Sequence, residues 1–170
     1  MQEGKVLMRS NRILMVVFLM ATAMVSAAVA VNPFRPQFCG ECTDGAWNVW
    51  VEILKRKATP TRSARFWWDD AAKKGFNRSN TPGKPSIMVL DAWSGNSNGH
   101  VGVVTEVDAK WSPPFYLCWV LHTNWSPRTS GNCAAALQGN WFAYHPQSQA
   151  VWCWMGNGWS RSYPCRGFIR

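Results

Sequence analysis

Charge is scarce in this sequence. Nine Asp and Glu face eighteen Lys and Arg, and charged residues make up only 16% of the chain. Hydrophobic residues make up 47%. That balance excludes wholesale disorder, because there is enough apolar surface to bury a core. The basic residues are scattered, with no dense Lys/Arg run and no zinc-finger spacing, so the positive excess does not read as a nucleic-acid footprint. No internal repeat is visible. Histidine is rare as well: His100, His122 and His145 are the full set. Cys39 and Cys42 form a C-x-x-C pair, but no second C-x-x-C and no H-x₃₋₅-H spacing exists to complete a zinc site. A thioredoxin-type motif would follow a strand in a βαβ pattern, whereas proline-rich coil precedes this pair. No metal and no cofactor is expected.

What is present begins with a leader. Lys5, Arg9 and Arg12 precede an uncharged apolar run from Ile13 to Val25, and "AVA" at Ala28–Ala30 is a small-x-small cleavage signature. This reads as a secretory signal peptide over residues 1–30, leaving residues 31–170 as one domain. An uncleaved anchor is the alternative, but the run is short for a span. Losing Glu3, Lys5, Arg9 and Arg12 takes the net charge from +9 to +7. An exported, basic protein suits an anionic surface such as a cell envelope. After cleavage no stable membrane partner is expected, and the expected location is periplasmic or extracellular, at the wall. Twelve tryptophans exceed what a chain this size needs; they fill the core or offer platforms for stacking sugars.

Along the chain, Ala46, Trp50, Ile53 and Leu54 recur on one helical face after Cys42, and Lys55–Lys57 close the last turn. A second helix is expected from about Ser63 to Lys74, stopped by Gly75. The period then changes. "SIMVL" (Ser86–Leu90), "HVGVVTEV" (His100–Val107) and "FYLCWVLHTNW" (Phe115–Trp125) read as strands. "NWFAYH", "AVWCWM" and the final "GFIR" add further strand-like segments. Two helices followed by an antiparallel sheet predict an α+β fold.

The chemistry centres on Cys42. It opens a predicted helix, where unpaired N–H groups and the dipole favour a thiolate and can bind an oxyanion. A base must come from elsewhere. His100 opens a strand directly after a Gly/Asn/Ser turn, and His122 and Asn124 lie two residues apart on one strand face.

These segments, "GECT" (Gly40–Thr43), "SIMVL", "GHVGVVTEV" (Gly99–Val107), "NW" (Asn124, Trp125) and "GFIR", resemble the CHAP domain, the cysteine, histidine-dependent amidohydrolases/peptidases of the papain-like superfamily. The resemblance implies a papain-like arrangement with N-terminal helices packed on an antiparallel sheet. It implies Cys42 as nucleophile and His100 as general base. For the group that orients His100 it offers Asn124, which keeps the family's residue, or His122, which stands where a carboxylate is usual. Asp44-Gly45 also departs from the family, which commonly has aromatics there; a carboxylate beside the thiol tends to raise its pKa. The implied activity is hydrolysis of amide bonds in peptidoglycan or its stem peptides. A catalytically weak or inactive module that binds wall glycan or peptide is the alternative reading, and an amidase of a small exported amide is a third.

If Cys42 stays a free thiol, five cysteines remain. The simplest arrangement joins Cys118, Cys133, Cys153 and Cys165 in two disulfides and leaves Cys39 open to a reversible bond with Cys42. The competing arrangement ties Cys39 to a downstream cysteine such as Cys118.

Overall fold

The computed structural model describes residues 31–125 and 137–170. The expected leader, residues 1–30, lies outside the described residues, and so does Cys133. No helix among the described residues is long and apolar enough to cross a membrane.

A lead-in of turns reaches α1 (Cys42–Trp47), which runs directly into a widened π-type turn at Asn48–Ile53. A 3₁₀ turn (Ala64–Phe66) feeds α2 (Trp67–Lys73). Seven strands follow: β1 (Arg78–Ser79), β2 (Ser86–Leu90), β3 (His100–Ser112), β4 (Phe115–His122), β5 (Gln138–His145), β6 (Ala150–Cys153) and β7 (Tyr163–Ile169). All pairings are antiparallel. The order β7-β2-β3-β4-β5-β6 returns to β7, so six strands close into a barrel, with β1 appended to β7.

This corrects the expected fold class. The protein is mostly β, a closed six-stranded antiparallel barrel with two short α-helices, and not an α+β molecule built of helices packed on an open sheet. The predicted strands are present, but two features that alternation does not reveal turn the sheet into a barrel. Register shifts between Val89 and Leu90, between Val104 and Glu106, and between Asp108 and Ser112 bend the strands. The pairs Ala150↔Pro164 and Val151↔Tyr163 then join β6 to β7 and remove the free edges. The first helix is also shorter than its sequence pattern. It ends at Ile53, and Lys55 takes a left-handed φ of 53°, so Lys55–Lys57 do not close a helical turn.

Alternation along the strands sorts side chains to two sides of the barrel wall. Met88 and Leu90, Val104, Cys118 and Val120, Phe142 and Tyr144, Val151, Cys153, Cys165 and Phe168 form the interior cluster. The buried Tyr144 hydroxyl donates to the Asn80 carbonyl at 2.9 Å. Ile87, Val89, Val101, Val103 and Ile169 point outward, where Ala46, Trp47, Val49, Trp50 and Trp67 cover them. The helical turns therefore clothe one stretch of the outer wall. Gly45 allows the close approach, because a Cβ there would run into the Thr123 side chain.

The described cysteines overturn the pairing of Cys118, Cys133, Cys153 and Cys165 in two disulfides, and they exclude Cys118 as the partner of Cys39. Cys42, Cys118, Cys153 and Cys165 are free and buried. Cys39 is disulfide-bonded. No Cys39–Cys42 bond and no Cys39–Cys118 bond exists. The strand register explains why Cys118 and Cys153 do not pair: both stand opposite Phe142, one on each side of it. Burial pushes the thiols of Cys118, Cys153 and Cys165 up to about 12. All three should resist iodoacetamide in the native protein and react once guanidinium unfolds it. Mass spectrometry of the alkylated peptides checks this. Native-state labelling of Cys118 or Cys165 would mean that the barrel opens or does not close as described.

Candidate active site

Asp44 organises the approach to Cys42. Its carboxylate is buried and accepts from Asn32 Nδ2 at 2.7 Å, Arg35 Nε at 2.8 Å, the Gly40 N–H at 3.0 Å and Asn48 Nδ2 at 3.4 Å. A charge out of water is tolerable only when it is paired and hydrogen-bonded, and here four donors meet it. They tie the lead-in to the first turn of α1. The expected role of Asp44 was to raise the thiol's pKa. The structure turns it toward the lead-in, and the carboxylate whose charge bears on Cys42 is Glu41.

Cys42 opens α1 and lies in a cleft of about 850 Å³. Burial pushes its thiol up to about 12, against the N–H groups of Val101, Thr43 and Cys42 itself, which favour the thiolate. His100 lines the same cleft, one residue before the Val101 N–H that meets the sulfur. Strand pairing with β2 holds it there, through Leu90↔His100 and Val89↔Val101. Gly99 supplies the turn before it with φ 69°, and a Cβ on Gly99 would meet the Leu90 carbonyl.

Behind His100 stands His122, fully buried at the end of β4. The two rings meet edge to face with centroids 5.2 Å apart. His122 Nε2 lies 3.1 Å from Asn140 Oδ1. Asn140 Nδ2 donates to the Trp154 carbonyl at 3.2 Å, which turns Oδ1 toward the imidazole and makes Nε2 the donor. His122 Nδ1 is then an acceptor. No hydrogen bond reaches it, although the Thr123 backbone favours the protonated ring, and none reaches His100 Nε2, equally buried. Trp125 packs its ring against both, with centroids 4.9 Å from His100 and 5.6 Å from His122.

Asn124 has a different neighbourhood. It takes a left-handed φ of 54°, lines the cleft, and donates Nδ2 to Glu41 Oε2 at 2.7 Å. Beside it, Thr123 Oγ1 donates to the Glu41 carbonyl at 2.7 Å. The fold thus brings Cys42, His100 and Asn124 to one cleft and sets His122 beneath its floor. Sequence reasoning did not anticipate the part played by Asn140. Its place opposite Val120 on β5 puts it near the end of β4, yet only register could reveal that. Among the described residues, no group of three or more His, Cys, Asp or Glu could hold a metal ion.

Residues 33–113 match the family model of the CHAP domain, which bears out the resemblance carried by "GECT" and "GHVGVV". The match points to a peptidoglycan-related module of the cysteine- and histidine-dependent amidohydrolase and peptidase kind. No curated protein and no solved structure matches the chain.

The two imidazoles have a consequence for stability. Burial, with a smaller electrostatic contribution from the neighbouring His122, holds His100 well below the usual 6.5. Burial lowers His122 to about 4. Both are therefore neutral when folded and take up protons on unfolding. The unfolded chain binds more protons below pH 6.5, so stability is complete above that pH and is lost as pH falls toward about 4. Each imidazole contributes a slope of about 1.4 kcal/mol per pH unit within the window. Urea midpoints should fall steadily between pH 6.5 and about 5, above the range where carboxylates protonate. A flat profile there would show that the histidines are charged in the folded protein.

Proposed function

We propose that the protein is an exported cysteine amidase or endopeptidase that hydrolyses amide bonds of peptidoglycan. The observation that carries this is the cleft shared by Cys42 and His100, with the sulfur at a helix start and three N–H groups around it. Export rests on the leader read in residues 1–30, and the wall as target rests on the family match and the basic charge.

In this reading both groups start neutral, as burial dictates. When a substrate carbonyl meets Sγ, His100 takes the thiol proton and sulfur forms the C–S bond. The N–H groups at the start of α1 face the oxygen that gains charge. Collapse of the tetrahedral species breaks the C–N bond, and His100 returns the proton to the departing amine. His100 then takes a proton from water, the hydroxide formed adds to the acyl carbon, and collapse breaks the C–S bond, releases the acid and returns the proton from His100 to sulfur.

His122 is the orienting group that the geometry supports. Its Nδ1 is an acceptor, its ring is 5.2 Å from that of His100, and both facing rings carry an unpartnered nitrogen. Accepting from His100 would settle the tautomer and stabilise the imidazolium. Asn124 instead holds Glu41 beside the nucleophile.

Cys42→Ala and His100→Ala should each lower hydrolysis of purified wall by several orders of magnitude with far-UV circular dichroism unchanged. A zymogram of the Cys42→Ala protein beside the parent is the deciding measurement. Activity within about tenfold of the parent would overturn the assignment, and wall binding without any lysis by the parent would favour a binding module.

His122→Ala should reduce kcat more than Asn124→Ala does, and His122→Asn should recover part of the loss by restoring an acceptor. Steady-state kinetics on one soluble substrate checks the ranking. A larger loss at Asn124 would move the orienting role there.

A further inference from the structure

Asn140 stands on β5 opposite Val120, beside the end of β4 that His122 closes. Two contacts use opposite ends of its amide. Nδ2 donates to the Trp154 carbonyl at 3.2 Å, and Oδ1 lies 3.1 Å from His122 Nε2. Backbone pairing fixes the Trp154 end. Trp154 donates its own N–H to the Trp141 carbonyl at 2.8 Å, which extends the β5–β6 ladder past Cys153, and it bridges to Trp159 across the loop that follows. A carbonyl can only accept, so the amide that reaches it must present Nδ2 there and Oδ1 to the imidazole. A flipped amide would lose that bond and set Oδ1 against the carbonyl.

A neutral imidazole carries one proton, and two neighbours favour its protonation: Asn140 at Nε2 and, less strongly, the Thr123 backbone. The side chains that face His122 are His100 from β3, Trp125, and Asn140 and Phe142 from β5. None of these four is a carboxylate, so no charge among them competes with the amide for Nε2. With the proton there, Nδ1 keeps its lone pair. The His100 ring meets His122 edge to face with centroids 5.2 Å apart, and its Nε2 is buried with no hydrogen bond reaching it. A buried N–H without an acceptor is costly. His122 Nδ1 supplies the acceptor, which places the His100 proton on Nε2 and leaves the lone pair on its Nδ1.

We infer that Asn140 is a positioning residue for the reaction: it holds His122 in the tautomer protonated on Nε2, and through His122 it fixes Nδ1 of His100 as the nitrogen that takes the thiol proton. This rests on the hydrolase reading above and adds to it a residue that does not line the cleft. A carboxylate at position 122 would accept in either orientation. An imidazole accepts on one nitrogen only while the other holds the proton, and that is the task left to Asn140 and the Trp154 carbonyl behind it.

The proton's position can be read directly. Histidine ring nitrogens are labelled isotopically and resolved by NMR, in which a nitrogen bearing a proton and one bearing a lone pair have well-separated shifts; the His122→Asn protein identifies the signals of His122. In the parent, Nε2 of His122 is expected to be protonated and Nδ1 not. In Asn140→Leu the proton should move to Nδ1 or be shared between the two nitrogens. In Asn140→Asp, whose carboxylate can only accept, Nε2 should keep it. Steady-state kinetics on a soluble substrate should show kcat of Asn140→Leu lowered about tenfold or more, with KM within about twofold of the parent. A parent His122 protonated on Nδ1 alone would overturn the inference, whether or not any variant folds. An unchanged tautomer in Asn140→Leu, or its kcat within about twofold of the parent, would overturn it too. The two readings fail separately. The expected tautomers without hydrolysis by the parent would retire the enzyme and leave the proton assignment. Hydrolysis by a parent with His122 protonated on Nδ1 would leave the enzyme and retire the role of Asn140.

Discussion

The buried Asp44 carboxylate is the constraint on which the site depends. It lies two residues after Cys42, within the first turn of α1, and collects donors from Asn32, Arg35, Gly40 and Asn48. An ionised carboxylate without such partners would be too costly to bury, so lead-in and helix must arrive together. The same contact places Phe34 and Phe38 along the cleft, because both belong to the segment it anchors. Gly45 follows at once and lets the helix press against Thr123, whose hydroxyl grips the Glu41 carbonyl. Cys42, the cleft wall and the helix start are thus held by neighbouring residues of one short stretch.

The electrostatics of the site follow from burial rather than from ion pairing. Desolvation leads the causes for Cys42, His100 and His122, and in each case it favours the neutral form. Both the thiol and the imidazole that share the cleft are therefore neutral in the folded protein. The three N–H groups near the sulfur oppose the burial effect without cancelling it. Trp125 contributes to the same end, since it covers both histidines and helps keep water from them.

Much of the local structure was legible. "SIMVL" alternates between two buried environments, Ile87 and Val89 outward and Met88 and Leu90 inward, and so reads as a strand covered on both faces. Gly99 before His100 marks a tight turn because its backbone adopts φ 69°. Cys42 and His100 could be picked out because their motifs are short and contiguous. Asn140 could not, since its link to His122 runs through the β4–β5 register and an amide orientation set by Trp154. The disulfide arrangement was equally hidden: cysteine spacing does not say that Phe142 separates Cys118 from Cys153.

By itself, the sequence determined the strands, the two helical segments, the cysteine at a helix start and the histidine after a turn. Each of these depends on residues within a few positions of one another, where periodicity, glycine and helix-end chemistry act directly. Tertiary structure alone decided that the sheet closes, that Asp44 faces the lead-in, that His122 lies behind His100, and that Trp93 and Tyr163 meet across seventy positions of chain. Barrel closure rests on two residue pairs between β6 and β7, together with bulges that set the bend. A pattern of alternating side chains is the same for an open sheet and for a closed one, so only the pairing of distant strands could tell them apart.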